Sequence, residues 1–396
     1  MNHLFVTQDY PPDRGGMARR HVELVRRFPD ADNSMEVSTV HLDSDTQFDS
    51  GESYSIHRQP FRFREANRFS KQMTWARWLT GYSRKNIDVL HCGNIRPAGY
   101  AVAWASWRAG VPYIVYVNGG DLLRERKKAL ESALKRVTAS RILGGAAGIA
   151  ATSKWVAELA GEVMDLVGVK QMPPVGAFDL GTDPETFRPD RDTGRLRTKW
   201  GVADSPLILT VARLVPHKGQ DMGIRAIDAL KDEYPNVRYV LVGEGHDEGR
   251  LRYLAEELGV ADRVIFAGPL SDDDLPEAYA TSTLYLGASR VDNEINVEGF
   301  GISFLEASAS GLPVVAGDSG GVRSAVRDGE TGIVVPPTDV RAIADATARF
   351  LGDGAARAAY GAAGRRAVET HYNWERVARD TRDFALTVVS DRKKNR

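Results

Sequence analysis

Short apolar runs alternate with amphipathic stretches of helical length almost from one end of the chain to the other, which predicts βαβ units and parallel sheets. In the first half the runs predicted as strands are His3–Thr7, Glu36–His41, Val89–His91, Tyr113–Val117 and Gly148–Ala151. The second half repeats the theme with Leu207–Val211, Arg238–Val242, Arg263–Ala267, Thr283–Leu286, Pro313–Ala316 and Gly332–Val335. Helices are predicted over Met17–Phe28 and Gln220–Leu230, each directly after a strand-like run. Between the halves, Met172–Arg195 is rich in Pro, Gly and Asp and lacks helical periodicity, so it reads as a linker. The expected fold class is α/β, with two doubly wound Rossmann-like domains facing each other across a cleft: residues 1–182, then residues 183–370. In sheets of this kind ligands lie beyond the carboxyl ends of the strands, so chemistry is to be sought in the turns that follow them.

The 396 residues leave room for two full cores. Lys and Arg total 52 against 53 Asp and Glu, a net charge of −1. That balance excludes a global basic field, and nucleic acid is not an expected partner. The charge is uneven, with 24 basic against 19 acidic side chains in residues 1–182 and 28 against 34 afterwards. Cys92 is the only cysteine, which rules out an intramolecular disulfide and suits a reducing compartment. A cytoplasmic location is expected, since Met1–Thr7 carries no leader signal and no run approaches membrane-spanning length. Disorder is expected only for the tail Ser390–Arg396.

The turn Pro11-Pro12-Asp13-Arg14-Gly15-Gly16 leads into the first helix. Gly15 and Gly16 at a helix start would let backbone N–H groups approach an anion, or would simply make a tight turn. After Leu207–Val211 come Arg213 and Lys218, two cations at a strand end. They could clamp a diphosphate and stabilise a departing phosphate without a metal, or be surface charges flanking a loop. The turn Gly243-Glu244-Gly245-His246-Asp247-Glu248-Gly249 misses the dinucleotide fingerprint by one residue, and no P-loop sequence occurs.

The most informative stretch is Glu298-Gly299-Phe300-Gly301-Ile302-Ser303-Phe304-Leu305-Glu306. Glu298 is expected in a glycine-rich loop and Glu306 on the helix that follows, so that both carboxylates could face one pocket. Downstream, Asp318-Ser319-Gly320-Gly321 is expected to form a second backbone anion turn. Asp43-Ser44-Asp45 has the look of a metal-binding Asp-x-Asp but is better read as a turn, and Ser271-Asp272-Asp273-Asp274 as a helix cap. The eight histidines show no ligand spacing, so the chemistry is expected to need no metal and no cofactor.

Arg58–Arg84 holds seven basic residues and one acid, interleaved with Phe61, Phe63, Phe69, Trp75, Trp78 and Tyr82. Trp75, Trp78, Leu79 and Tyr82 recur at helical spacing. This stripe either packs into the first domain's core or adsorbs to an anionic membrane surface.

Taken together and in order, Gly15-Gly16, Arg213 with Lys218, Glu298 with Glu306, and Gly320-Gly321 resemble the family 4 retaining glycosyltransferases of the GT-B fold. Gly181–Phe187 is similar to that family's interdomain segment, and His371-Tyr372-Asn373-Trp374 to the start of its closing helix. The resemblance implies that residues 371–396 cross back to the N-terminal, acceptor-binding domain. It also implies that Gly15, Gly16, Arg213 and Lys218 hold the donor diphosphate, with Gly16 contributed by the opposite domain, and that Glu306 takes the ribose hydroxyls. Glu298 would take the donor sugar hydroxyls beside the reacting carbon, assisted by the backbone of Phe300, Gly301 and Ile302. The implied donor is a nucleotide diphosphate sugar and the implied acceptor a hydroxyl of a lipid or saccharide.

Two departures from the family pattern stand out. Where the family usually has histidine, this chain reads Val117-Asn118-Gly119-Gly120-Asp121. Asn118 can hydrogen-bond a sugar but cannot act as an acid or base, which leaves Asp121 as the nearest carboxylate to accept the acceptor proton. After Gly320-Gly321 stand Val322 and Arg323, where Pro-Glu is commoner. Within the family, Ser289–Gly301 with its polar insert is most similar to the phosphatidylinositol mannosyltransferases and related GDP-mannose enzymes. A UDP-sugar transferase, a non-catalytic nucleotide-sugar-binding or scaffold homologue, and an epimerase are the alternatives.

Overall fold

The computed structural model describes residues 1–13 and 15–394, the side chains of Lys393 and Lys394 excepted. It contains two compact units. The first comprises Met1–Phe178 together with Trp374–Arg396, and the second Asp179–Asn373.

In the first unit the chain runs β1 (Asn2–Val6), α1 (Gly16–Arg27), β2 (Ser34–His41), α2 (Asp45–Asp49), β3 (Ile56–Arg62), α3 (Phe69–Asn86) and β4 (Val89–Cys92). It continues with α4 (Ala98–Ala109), β5 (Tyr113–Val117), α5 (Gly119–Glu131), α6 (Ala133–Gly144), β6 (Gly148–Ala151), α7 (Lys154–Leu166) and β7 (Val175–Ala177). The seven strands are parallel in the order β3-β2-β1-β4-β5-β6-β7. Aromatic and β-branched residues fill β5, every one of them buried, as expected for a central strand covered by helices on both faces.

The second unit runs α8 (Arg195–Trp200), β8 (Leu207–Val211), α9 (Gln220–Leu230), β9 (Arg238–Val242), α10 (Glu248–Glu257), β10 (Val264–Gly268), α11 (Leu275–Ala280) and β11 (Leu284–Gly287). It closes with α12 (Ile302–Ala309), β12 (Val314–Gly317), α13 (Val322–Ala325), β13 (Gly332–Val335), α14 (Val340–Gly352) and α15 (Gly354–Thr370). Its parallel sheet has the order β10-β9-β8-β11-β12-β13. The core between sheet and helices includes Ile208, Ile224, Ile227, Tyr239, Leu241, Leu286, Ile343 and Phe350.

The last helix, α16 (Trp374–Lys394), belongs to the first unit. Arg382 donates to the Phe28 carbonyl at 2.7 Å, Glu375 pairs with Arg27 at 2.7 Å, and Phe384 packs on Phe178. The helix runs through Ser390–Lys394, which corrects the expectation of a disordered tail there; Asn395 and Arg396 lie outside the described residues. The stretch Met172–Arg195 also differs from a plain linker, since it supplies the edge strand β7.

The aromatic stripe of α3 packs inward. Trp75 and Leu79 are fully buried, and the Trp75 indole donates to Ser38 Oγ at 2.9 Å. Trp78 stacks on Tyr82, whose hydroxyl donates to Glu36 at 2.6 Å. Of the aromatics in that basic segment, Phe69 and Phe63 remain exposed. No helix among the described residues is long and apolar enough to cross a membrane.

Candidate active site

In a doubly wound sheet the crevice opens where the strand order reverses, between the first strand and the fourth. In the second unit that point lies between β8 and β11, which are paired neighbours. The turn after β8 carries Arg213 and Lys218, and the loop after β11 carries Glu298, so topology alone brings these residues to one crevice.

Local geometry fixes their positions. Gly219 sits at φ +72° with the Ala288 carbonyl oxygen only 1.9 Å from where a Cβ would stand, so only glycine allows the two loops to meet. The Arg290 N–H donates to the His217 carbonyl at 2.8 Å, and the Arg290 guanidinium grips Asp221 through two hydrogen bonds of 2.8 and 3.1 Å. Across this joint Lys218 Nζ and the Glu298 carboxylate form a short, partly buried ion pair. Burial and the nearby Lys218 charge push the His217 imidazole down to about 4, so it stays neutral at pH 7. Arg213 is exposed and makes no ion pair among the described residues, although its carbonyl accepts from Gln220 Nε2 at 2.9 Å.

Glu298 is held from behind as well. The Gly321 N–H donates to the Glu298 carbonyl at 2.9 Å, and Gly320, at φ +57°, lies so close that a Cβ would stand 2.4 Å from that same oxygen. The turn expected at Asp318–Gly321 is thus tied to Glu298 through its last residue. Its last N–H is already taken, and the helix behind it, α13, has only four residues. The turn therefore positions Glu298.

Phe300 is buried and packs edge-on to Tyr372, Gly301 precedes α12 at φ +96°, and Ile302 is its first residue. Glu306 lies one turn along the same helix, buried, with Oε2 accepting from the Tyr279 hydroxyl at 2.7 Å. Tyr285 supports the helix start through a 2.8 Å hydrogen bond to Ser303 Oγ.

The remaining candidates lie in the first unit. Gly15 and Gly16 stand exposed at the start of α1 with open space around them, whereas Arg14 lies outside the described residues. Asn118 precedes α5, and its Oδ1 accepts from Arg20 Nη1 at 2.9 Å. Asp121 accepts from the Asn118 and Leu122 N–H groups, both at 2.8 Å, through Oδ1. Its Oδ2 is buried, and burial pushes the carboxyl up to about 7.

Asp121 also lines a cleft of about 270 Å³ within this unit, at the switch between β1 and β4. The sequence reading missed the other polar residues there. Gln8 and Asp9 follow β1, Asn94 and Arg96 follow β4, and Arg124, Glu125 and Lys128 lie on α5. Asp9 Oδ2 accepts from Gln8 at 2.6 Å and Asn94 at 2.7 Å, and burial raises its carboxyl to about 6. Arg96 donates to Glu125 at 2.6 Å, to the Lys135 carbonyl and to Thr138. Three buried atoms of these lining residues, Gln8 Oε1, Arg96 Nη1 and Asp121 Oδ2, have no hydrogen-bond partner among the described residues. Each such atom costs about 1 to 3 kcal/mol if left unmet. Among the described residues no group of three His, Cys, Asp or Glu side chains is placed to hold a metal ion.

Two switch-point crevices, one of them bringing a cation and a carboxylate together, define a two-domain α/β group-transfer enzyme of the GT-B kind. More particularly, residues 192–367 match the glycosyl transferases group 1 and residues 15–171 the glycosyl transferase 4-like domain, and the chain belongs to this family of glycosyltransferases, which take their sugar from a nucleotide sugar. Over 389 residues, 96% of this chain and 97% of the relative, it is 29% identical to a GDP-mannose-dependent α-(1-6)-phosphatidylinositol monomannoside mannosyltransferase of Mycobacterium tuberculosis. A protein of the same name from Mycolicibacterium smegmatis is 41% identical over 196 residues, about half of each chain. A D-inositol 3-phosphate glycosyltransferase of Acidothermus cellulolyticus is 34% identical over 67% of this chain and 60% of its own. Among solved structures, Anabaena HepE in complex with UDP superposes with a TM-score of 0.78 at 19% identity, covering 98% of this chain and all of that one. That likeness bears on the fold.

Proposed function

We propose that the protein moves a hexosyl unit, mannose in the first instance, from GDP-mannose to a hydroxyl of a lipid or saccharide acceptor, with retention at the anomeric carbon and without a metal. The observation that carries this reading is the Lys218–Glu298 pair at the switch point of the second unit. A carboxylate held beside an ammonium can accept from sugar hydroxyls while the cation meets the departing diphosphate. Arg213, exposed in the same turn, adds a second charge for the diphosphate. Glu306 offers its carboxylate to the ribose diol on the next helix. Lys218, Arg213 and the amides at the start of α12 supply the charge stabilisation that a divalent cation would otherwise provide.

The preference for GDP-mannose and for an inositol lipid rests on what the mycobacterial relatives are named for. Retention is supported by the family resemblance together with the position of Glu298. The test is an assay of purified protein in EDTA with GDP-mannose, UDP-glucose and ADP-glucose against phosphatidylinositol, its mannosides and inositol phosphate. Transfer from GDP-mannose in EDTA, with an α-linked product by NMR, is the expected result. Transfer from a UDP-sugar instead, a β-linked product or a strict metal requirement would each refute the corresponding part. Failure of every donor with every acceptor would favour the non-catalytic homologue.

A further inference from the structure

Arg20 lies on α1 with only 3% of its surface exposed, yet among the described residues its guanidinium forms no ion pair. Nη1 donates to Asn118 Oδ1 at 2.9 Å, and the planar group stands over the Tyr116 ring, 5.3 Å from its centre. The nearby Asp121 carboxyl spends its Oδ1 on the N–H groups of Asn118 and Leu122 instead. Burial pushes the guanidinium down to about 10, which still leaves it charged at pH 7. A buried cation without a carboxylate partner is costly, and an apolar side chain of similar volume would serve packing better. Its presence calls for a role beyond packing.

That role follows from what the guanidinium does to Asn118. Arginine has donors only, so chemistry orients the Asn118 amide, with Oδ1 toward Arg20 and Nδ2 on the other side. Nδ2 carries two N–H groups. One faces Met17 Sδ at 3.4 Å, a weak acceptor, and Asn118 is only half-buried, so the second remains for a ligand. Met17 and Arg20 stand three residues apart on one face of α1, so a single helix holds both ends of the amide. A charge-assisted hydrogen bond to Oδ1 also draws electron density from the amide nitrogen, which makes its N–H groups stronger donors. Resting on the transferase reading, we propose that Arg20 is a positioning residue for the transfer: it aims the Asn118 amide and strengthens it as a donor to an oxygen of the bound substrate. Arg20 touches no substrate itself and acts through Asn118.

The experiment is a double-mutant cycle on the full-length protein: native, Arg20→Met, Asn118→Ala and the double variant, with Arg20→Lys beside them. Arg20→Met keeps an apolar contact with Tyr116 and removes the charge and the donor. Arg20→Lys keeps a charge and a donor without the planar fork. Four quantities are read: kcat/KM for transfer, binding of GDP and UDP by calorimetry, urea unfolding, and the side-chain amide signal of Asn118 by NMR. That signal is obtained with isotope-labelled asparagine and identified by its loss in Asn118→Ala.

The expected result is that Arg20→Met lowers kcat/KM about tenfold, shifts the Asn118 amide signal, leaves nucleotide binding unchanged and unfolds in urea no earlier than the native protein. Arg20→Lys should recover part of the loss. In the Asn118→Ala background Arg20→Met should cost less than a further factor of about two, because nothing is left for Arg20 to aim. Undiminished activity in Arg20→Met, an equal loss with and without Asn118, or an Asn118 signal that stays in place would each overturn the proposal. Should Arg20→Met fail to fold, Arg20→Lys carries the same cycle and the same criteria. If the native protein turns over no donor, the transferase reading fails and takes this role with it; if the native protein is active and the cycle shows no coupling, only the role of Arg20 fails.

Discussion

Lys218 and Glu298, eighty residues apart in sequence, meet as an ion pair because β8 and β11 are neighbours in the second sheet. Neither residue depends on an unusual local conformation of its own. Their loops are brought to one point by Gly219 against Ala288 and by Gly320 against the Glu298 carbonyl. On the proposed reading the pair offers a donor to phosphate oxygens and an acceptor to sugar hydroxyls.

Lys218→Ala and Glu298→Gln should each lower kcat/KM for transfer at least 100-fold, equivalent to about 2.7 kcal/mol of transition-state stabilisation. Because the two groups form one ion pair and act on one transition state, Glu298 at the sugar and Lys218 at the departing diphosphate, the double variant should be little worse than either single one. Steady-state kinetics with a nucleotide sugar, alongside circular dichroism to confirm folding, checks both statements. Additive losses would show that the residues work separately.

Gly320→Ala reaches the same carboxylate without touching substrate. A Cβ there would stand 2.4 Å from the Glu298 carbonyl oxygen and 2.6 Å from a Val297 methyl, at a backbone angle of φ +57° that alanine adopts poorly. The loop bearing Glu298 must shift. Activity should fall tenfold or more, with a stability loss of roughly 1 to 3 kcal/mol. Gly249→Ala is the control, since nothing lies within 4 Å of its Cβ position. Comparable kinetics for the two variants would mean that Gly320 does not set the position of Glu298.

How much of this was legible in the sequence depended on where each element sits in its sheet. Central strands such as Tyr113–Val117 and Leu207–Val211 are covered on both faces and read as unbroken apolar runs. The two strands that escaped notice, Ile56–Arg62 and Val175–Ala177, are the edges of the first sheet. The former is half exposed and polar with Pro60 inside it, and the latter has three residues, none of them buried. The same logic divides the sites. Glu298, Gly301 and Glu306 are close in sequence and form a recognisable pattern. Asp9 follows β1 whereas Asn94 and Arg96 follow β4, polar residues with no local signature, and only the pairing of β1 with β4 makes them neighbours.

The aromatic stripe of α3 separates a core function from a membrane one. Trp75→Ala removes a fully buried indole and its hydrogen bond to Ser38, and should cost about 3 to 5 kcal/mol in urea unfolding. Phe69→Ser removes a side chain that is 76% exposed and should change stability by less than about 0.5 kcal/mol. If Trp75→Ala left stability intact, the stripe would not be part of the core.

Asp121 gives the first unit a pH signature whose sign follows from linkage. Burial raises its carboxyl from the usual 3.8 to about 7, so between those values the folded state holds a proton that the unfolded state has released. The favourable contribution is fully present at low pH and is lost as pH rises from about 4 through about 7, by roughly 4 kcal/mol as an upper limit. Asp9, raised to about 6, adds in the same direction. Asp121→Asn keeps an oxygen for the α5 N–H groups while removing the titration. The variant should therefore lose less stability than the native protein between pH 5 and pH 8, a range to be covered by urea unfolding at fixed ionic strength. At pH 8 the variant should be the more stable of the two, because the native protein then carries a buried charge whose Oδ2 has no partner. Parallel pH curves for the two proteins would place the Asp121 carboxylate in water.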